Sequence, residues 1–342
     1  MGFPTFVYNQ LWVKPTLPDV SFADQTIIIT GSNSGLGLET ARHLANLSAS
    51  KVILAVYNTV SGESARQDIE STSGCAPGTV EVWPLDLSKS ASVLAFAEKA
   101  LQLPRLDALI LNAAKATMEF HLASEGYGSG YEHSITVNTI SHFLLALLLT
   151  PKLRQTALDF PDRLTPPHIT VLSSQSHAWP KFPQWKDPRG ILTAMSDPKT
   201  ALMNERYPAT KLLNTLLTLE LVSNLNAIND RSIIVNMLDT GFCDTRLSRE
   251  NAGYEEWAFD FFKLLFARTA EVGARTTVAA VVAGRESHGA YMVNGVNAPE
   301  ALGQWVQGPD GRATGRKLWE ELGDIAEGVR PGILEAFKSE ST

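Results

Sequence analysis

The chain has 342 residues with a formal net charge of -7, 44% hydrophobic and 19% charged residues. An acidic chain without a Lys/Arg-rich run lacks the basic footprint of a nucleic-acid binder, and its composition is that of a globular protein with a sizeable core. Cys75 and Cys243, far apart in the sequence, form neither a disulfide framework nor a metal-ligand spacing; reduced thiols in a reducing compartment are the expectation.

The N-terminal stretch MGFPTFVYNQLWVKPTLPDV is broken by Pro4, Pro15 and Pro18. It lacks a basic region followed by an apolar run, so it does not read as a signal peptide. The most apolar stretch elsewhere, Phe143 to Leu149, is too short to span a bilayer. A cytoplasmic protein with no membrane span is therefore expected.

Short, almost continuously apolar runs follow: Thr26–Thr30, Lys51–Val56, Val80–Pro84, Asp107–Asn112, His168–Ser173, Ser232–Leu238 and a weaker Ala290–Val293. Such runs are the pattern of strands buried on both faces of a parallel sheet. Helical periodicity fills the gaps near 35–48, 61–73, 88–102, 130–157, 208–227 and 271–285. The alternation predicts an α/β fold, a doubly wound parallel sheet of about seven strands with helices on both faces. Two stretches interrupt it: 176–206, rich in Pro and Trp, and 248–268, rich in aromatics. A C-terminal extension over 296–342 carries a helical pattern near 312–327. One Rossmann-type domain with a core of about 22–295 is expected.

The first run leads into Thr30-Gly31-Ser32-Asn33-Ser34-Gly35-Leu36-Gly37, and a helix follows at once. Gly31 permits the tight turn, Gly35 lets the backbone approach a diphosphate, and Gly37 lets helix and strand pack closely. The helix N-terminus then offers N–H groups and a positive dipole end to phosphates. A glycine trio after a strand and before a helix is the context a dinucleotide site requires.

Further along stand Asp86-Leu87, then Leu111-Asn112-Ala113-Ala114-Lys115, Asn138 in Val-Asn-Thr-Ile-Ser-His, Ser173-Ser174-Gln175-Ser176-His177, and Tyr207-Pro208-Ala209-Thr210-Lys211. In Tyr207-x-x-x-Lys211 the two side chains share a helix face. A free phenol titrates near 10. A neighbouring ammonium would favour the phenolate and bring Tyr207 toward neutral pH, where acid–base catalysis is most effective. Ser174 would hydrogen-bond the substrate oxygen. No pair of histidines sits at ligand spacing, so no metal is expected.

Together these motifs resemble the short-chain dehydrogenase/reductase family over roughly residues 22–295. The resemblance implies an NAD(P)(H)-dependent oxidoreductase with Asn138, Ser174, Tyr207 and Lys211 as the catalytic set. It implies that Asn138 helps hold a water linking Lys211 to solvent. It implies a cofactor site built from Gly31, Ser32, Asn33, Ser34, Gly35, Leu36, Gly37, Tyr57, Asn58, Asp86, Leu87, Asn112, Ala113, Ala114, Tyr207, Lys211, Gly241 and Thr245. Three positions depart from the family's pattern. Ala114 replaces a Gly, with Lys115 after it. Thr240 replaces the Pro of a Pro-Gly pair, so that turn is expected to lose rigidity. Tyr57 stands where relatives often carry Arg.

The residue ending the second strand discriminates between NAD and NADP. No acidic side chain stands at Val56-Tyr57-Asn58 to repel a 2′-phosphate, and Asn58, Thr59 and Ser61 offer donors. NADP(H) is favoured, with NAD(H) left open.

Aromatics crowd both insertions: Trp179, Phe182 and Trp185 in the first, Tyr254, Trp257, Phe259, Phe261, Phe262 and Phe266 in the second. They would wall an apolar or ring-shaped substrate or simply pack the insertions. Lys115, Gln175, His177, Trp179, Phe242 and Trp257 are the candidates for the substrate pocket, with packing or loop capping as the other reading of His177. The SHGAY segment at 287–291 and the long C-terminal extension resemble fungal short-chain reductases of polyketide and terpenoid pathways. That resemblance implies a ketone or secondary alcohol on a bulky natural product. A non-redox enzyme on the same scaffold, such as a dehydratase, epimerase or cyclase, is the alternative. The helices at 130–157 and 208–227 resemble those the family uses to dimerise, though core packing predicts the same pattern.

Overall fold

The computed structural model describes residues 3–128, 130–163, 165–245 and 265–338. Among them eight strands form one sheet in the order β3-β2-β1-β4-β5-β6-β7-β8. They are β1 (Thr26–Thr30), β2 (Lys51–Val56), β3 (Val80–Pro84), β4 (Ala108–Leu111), β5 (His168–Leu172), β6 (Ile234–Asp239), β7 (Tyr291–Val293) and β8 (Val296–Asn297). The first seven are mutually parallel. The eighth is a two-residue antiparallel edge on β7. It is reached through Asn294-Gly295, both with positive φ, as a two-residue hairpin turn favours.

Strand alternation sends neighbouring side chains to opposite faces. Ile28, Ile53 and Leu109 face one core, while Ile27, Ile29, Val52 and Leu54 face the other. The second core is closed by α2 (Gly35–Asn46), α3 (Thr59–Ser73) and α8 (Ala270–Val282). The first is closed by α4 (Ser90–Leu101), α5 (His133–Asp159), α7 (Arg206–Ala227) and α9 (Pro309–Val329). Both faces of every central strand are thus covered, which explains their unbroken apolar character. The strand order reverses between β1 and β4, and ligands bind α/β sheets at such a switch point.

Helix α5 runs for 27 residues and is apolar enough to cross a membrane by length and composition, yet 89% of its apolar window is buried inside the protein. It is the central core helix. Over Thr136–Ile140 it loosens into a π turn, a feature concentrated at functional sites.

Besides the edge strand β8 and the one-turn helix Gln304–Gln307, two helices lay outside the sequence reading. One is α1 (Phe3–Leu11), which starts despite Pro4 because proline is tolerated in a helix's first turn. The other is the short α6 (Ile191–Met195) inside the first insertion. The Glu321 carboxylate of α9 accepts from the N–H groups of Ile191 (2.7 Å) and Leu192 (2.9 Å), so the extension caps α6.

Of the two readings of the first insertion's aromatics, packing holds for Phe182 and Trp185. Phe182 is buried, and the rings of Phe182 and Trp185 meet Trp305 edge-on at 6.1 and 5.9 Å. The C-terminal extension supplies the third ring and buries the insertion's aromatics against itself. It also covers the long helices: α9 packs on α7, and the turn Ile333–Phe337 packs on α5. Residues 248–264 of the second insertion, including Tyr254, Trp257, Phe259, Phe261 and Phe262, lie outside the described residues.

Candidate active site

The glycine turn opens at the switch point. A Cβ on Gly37 would fall 2.6 Å from Asn112 Nδ2 and 2.7 Å from the Gly31 carbonyl, and one on Gly31 would fall 2.8 Å from Ala113. These two glycines let helix, strand and loop close on one another. Gly35 differs: its φ is +57°, which strains any L side chain, and a Cβ there would meet only Thr245, at 3.4 Å. Ser34 stands at the N-cap of α2 and makes no side-chain cap bond. Uncapped N–H groups at a helix start are the donor set a diphosphate needs. Ser32 turns inward and donates to the Ile29 carbonyl (2.8 Å), while Asn33 reaches across to Ser61 (2.8 Å).

Thr30 and His142 carry a network that motif matching does not show. The Thr30 hydroxyl accepts from the N–H groups of Asn112 and Ala113, both at 3.0 Å. Its proton therefore goes to His142 Nε2 at 2.9 Å, and His142 Nδ1 donates to the Asn138 carbonyl at 3.2 Å. Burial pulls His142 down to about 3, so the ring is neutral, as this tautomer requires. Asn112 Nδ2 donates to the carbonyls of Thr30 (2.7 Å) and Gly31 (3.1 Å). The ends of β1 and β4 and the glycine turn are thereby one hydrogen-bonded unit.

Asn138 sits in the π turn. Its Oδ1 accepts from Lys115 N–H (2.7 Å), and its Nδ2 donates to the Lys115 carbonyl (2.8 Å) and Thr210 Oγ1 (3.1 Å). Both amide protons are spent on the segment after β4 and on α7, so the side chain acts as a clamp.

Tyr207 and Lys211 lie one turn apart on α7. The Lys211 ammonium is 5.5 Å from the centre of the Tyr207 ring and donates to the Leu172 carbonyl at the end of β5 (2.6 Å). Helix α7 also packs against the 3-10 turn Gln175–Ala178, for which Ser174 is the N-cap, accepting from Ser176 N–H at 3.2 Å. The four expected catalytic residues thus sit on neighbouring elements at the C-terminal edge of β4 and β5. The expected acidification of Tyr207 is corrected: burial, followed by the Asp239 and Cys243 charges, pushes its phenol well above the usual range. Burial also lowers Lys211 to about 8, opposed by Asp239. Desolvation outweighs the attraction between the pair.

A buried ion pair fixes the start of α7. Arg206 Nε lies 3.2 Å from Glu132 Oε2, both side chains being almost wholly buried. Glu132 also accepts from the N–H groups of Ser134 (2.9 Å) and Ile135 (3.1 Å), capping α5. The residue before Tyr207 is therefore tied to the helix that carries Asn138.

The turn after β6, which lacks the proline, is held by hydrogen bonds. Gly241 N–H donates to Asp239 Oδ1 (2.9 Å), and Cys243 Sγ to the Thr240 carbonyl (3.4 Å). The Gln10 amide of α1 grips Phe242, donating to its carbonyl (2.7 Å) and accepting from its N–H (3.2 Å).

The other expected residues divide. Tyr57 is 78% exposed at the end of β2. Asn58 Oδ1 caps α3 through Ser61 N–H at 3.0 Å, and the Ser61 hydroxyl donates back to the Asn58 carbonyl at 3.0 Å. Asp86 Oδ1 accepts from the Ser88 N–H (2.9 Å) and hydroxyl (2.6 Å), and the Leu87 carbonyl accepts from Ser141 Oγ at 2.5 Å. Ala114 and Lys115 continue the segment clamped by Asn138. The Gln175 N–H points to the buried Asp239 carboxylate. His177 takes the loop-capping role and not a place in the substrate pocket: Nδ1 donates to the Ser174 carbonyl (2.7 Å) and Nε2 accepts from Gly303 N–H (2.9 Å). Its two nitrogens lock the Ser174 turn to the C-terminal extension. Trp179 is 67% exposed.

Fold and cleft together define a nicotinamide-dinucleotide type of α/β scaffold with a tyrosine–lysine pair at the sheet's edge. Residues 25–157 match the family described as short chain dehydrogenase. The chain is 38% identical to the short chain dehydrogenase/reductase dmxR8 of Cryptosporiopsis sp. (strain 8999), over 97% of this chain and 99% of the relative. It is also 38% identical to the short-chain dehydrogenase anuD of Penicillium roqueforti (strain FM164), over 97% of this chain and 85% of the relative. Among solved structures, its fold is similar to 3-ketoacyl-(acyl-carrier-protein) reductase from Brucella melitensis complexed with NADH. That likeness has a TM-score of 0.56 and 20% identity, covering 80% of this chain and 97% of that one. The Pseudomonas aeruginosa RhlG/NADP active-site complex is similar at TM-score 0.58 and 18% identity, covering 82% and 98%. The chain belongs to the short-chain dehydrogenase/reductase family.

Proposed function

We propose that the chain reduces a ketone to a secondary alcohol on a bulky, largely apolar small molecule, with NADP(H) as its cofactor. The observation that carries this reading is the placement of Tyr207, one turn from Lys211 on α7 and beside the turn that Ser174 caps at the end of β5. Its phenol, protonated at neutral pH, is the proton donor a carbonyl oxygen needs as hydride arrives at its carbon. The glycine turn with Gly35 at positive φ, the uncapped start of α2 and the Asn112–Thr30 unit fit a dinucleotide. When bound, the reduced nicotinamide supplies the hydride.

Tyr207 Oη gives its proton to the carbonyl oxygen, so one ketone and one reduced cofactor become one alcohol and one oxidised cofactor. Ser174 orients the carbonyl by hydrogen bonding. Lys211, titrating near about 8, restores the phenol's proton near neutral pH. Asn138 holds the segment after β4 and the helix of Tyr207 in register. The fungal sources and the names of the relatives support a place in natural-product chemistry.

The choice of NADP(H) rests on the lack of an acidic side chain at Tyr57-Asn58 and on the start of α3 beside them. The test is NADH and NADPH oxidation at 340 nm over a panel of aromatic ketones, with the product identified. Alcohol formed in step with NADPH loss is expected. Product of changed mass or stereochemistry with no cofactor turnover would instead support a dehydratase, epimerase or cyclase. Tyr57→Arg is expected to tighten NADPH about tenfold over NADH by a charge-assisted contact.

A further inference from the structure

We propose that Gln10 of α1 is a positioning residue for the cofactor: its side-chain amide holds the turn after β6 against the glycine turn, where the diphosphate lies in the proposed complex. The proposal rests on the dinucleotide reading of the cleft and adds to it an element, the N-terminal helix, that none of the motifs contains.

The turn after β6 runs from α1 to the start of α2. At its near end, a Cβ on Gly241 would fall 2.5 Å from Gln10 Oε1 and 3.1 Å from Arg268 Nη1, so only a glycine lets α1 close on it. At its far end, Thr245 is the one side chain that a Cβ on Gly35 would meet, at 3.4 Å. Between the two ends, Cys243 Sγ and Leu36 both crowd Gly273 of α8. A shift of the turn is therefore passed to Gly35 and Leu36, the first residues of α2, whose uncapped N–H groups a diphosphate needs.

Gln10 fixes this turn from both sides. Its Nε2 donates to the carbonyls of Phe242 (2.7 Å) and Phe266 (2.9 Å), and its Oε1 accepts from Phe242 N–H (3.2 Å). The Phe242 carbonyl also accepts from Arg268 N–H, and the Arg268 carbonyl from Asp244 N–H, both at 2.8 Å. Residues 242–244 and 266–268 thus run side by side, with Gln10 bonded to both. The Arg268 guanidinium returns the contact, donating to the Asn9 and Val13 carbonyls of α1 and the chain after it. Gln10 is buried, so water does not replace its amide once it is removed, and desolvated peptide groups move to regain partners.

The test uses Gln10→Met, which keeps the length of the side chain and removes its hydrogen bonds. Gln10→Asn, one carbon shorter, is the milder variant, and Tyr8→Ser, on the exposed face of α1, is the control. Two ligands are titrated calorimetrically into the full chain: NADP+, and 2′-AMP, which is the adenosine end without the diphosphate. Gln10→Met is expected to weaken NADP+ tenfold or more and to leave 2′-AMP within twofold, because the adenosine end lies at Tyr57-Asn58 in the proposed complex and the turn does not touch it. Gln10→Asn is expected to give an intermediate loss for NADP+ alone, and Tyr8→Ser no loss for either. Melting curves verify that the variants fold. A general loosening of the fold would weaken both ligands alike. The proposal is overturned if both Gln10 variants bind NADP+ as the wild type does, or if they lose 2′-AMP to the same extent as NADP+. Selective loss of NADP+ in a chain that reduces no ketone would sink the reductase reading alone. Ketone reduction by a wild type whose NADP+ affinity survives Gln10→Met would sink the positioning role alone.

Discussion

Lys211→Met is expected to make the protein more stable at neutral pH while removing its activity. The ammonium is buried and loses its proton near about 8, against 10.5 for the ordinary side chain. At about 1.4 kcal/mol per pH unit, holding that charge in the folded state costs about 3 kcal/mol at pH 7. Methionine has similar length and no charge to desolvate, but it leaves the Leu172 carbonyl without its 2.6 Å donor, which costs about 1 kcal/mol. The net gain is about 2 kcal/mol. Its pH dependence follows from linkage. Between about 8 and 10.5 the unfolded chain binds the proton and the folded chain does not, so wild-type stability rises with pH across that window. The penalty is complete below about 8 and gone above 10.5. Urea denaturation at pH 7 and at pH 10 reads both values. The expected result is a higher midpoint for the variant at pH 7 and a much smaller difference at pH 10. A variant less stable at pH 7, or a difference that does not change with pH, would refute the burial argument.

Gly37→Ala is expected to destabilise the chain by about 1–3 kcal/mol, as overpacking against backbone does, because its Cβ meets the Gly31 carbonyl and Asn112. Thermal melting shows the loss, and NADPH titration shows a weaker site because the displaced atoms form the glycine turn. Glu132→Gln strands Arg206 in the interior, for a loss of about 3–5 kcal/mol. The double variant with Arg206→Met recovers most of it in a denaturant titration, since no unpaired charge remains.

The sheet was legible because each strand is a short apolar run set between helical periods, and each of the seven expected strands occurs within two residues of its predicted bounds. The glycine turn, Asn112 and Tyr207-x-x-x-Lys211 were legible because their chemistry is local: a turn, a strand end, one helical turn. What the reading missed depends on contacts far apart in sequence. Thr30 and His142 are separated by 112 positions, Glu132 and Arg206 by 74, and Gln10 and Phe242 by 232; no periodicity marks such pairs. Helix α1 was hidden because its partners are these distant loops. The state of Tyr207 was misjudged because spacing reveals that an ammonium is near but not how deeply both groups are buried. The partners of His177 and Phe182 were hidden because the extension that engages them, at Gly303 and Trp305, comes more than 120 positions later.

In the proposed reaction the Tyr207 phenol delivers the proton to a carbonyl beside the bound cofactor. Tyr207→Phe removes one oxygen from a helix whose other contacts stay in place. Loss of general-acid catalysis is a rate effect of about 10²–10⁴-fold. NADPH oxidation by the variant with a ketone that the wild type reduces is therefore expected to fall by at least about a hundredfold, with NADPH affinity within twofold of the wild type. A variant that oxidises NADPH at the wild-type rate would contradict it.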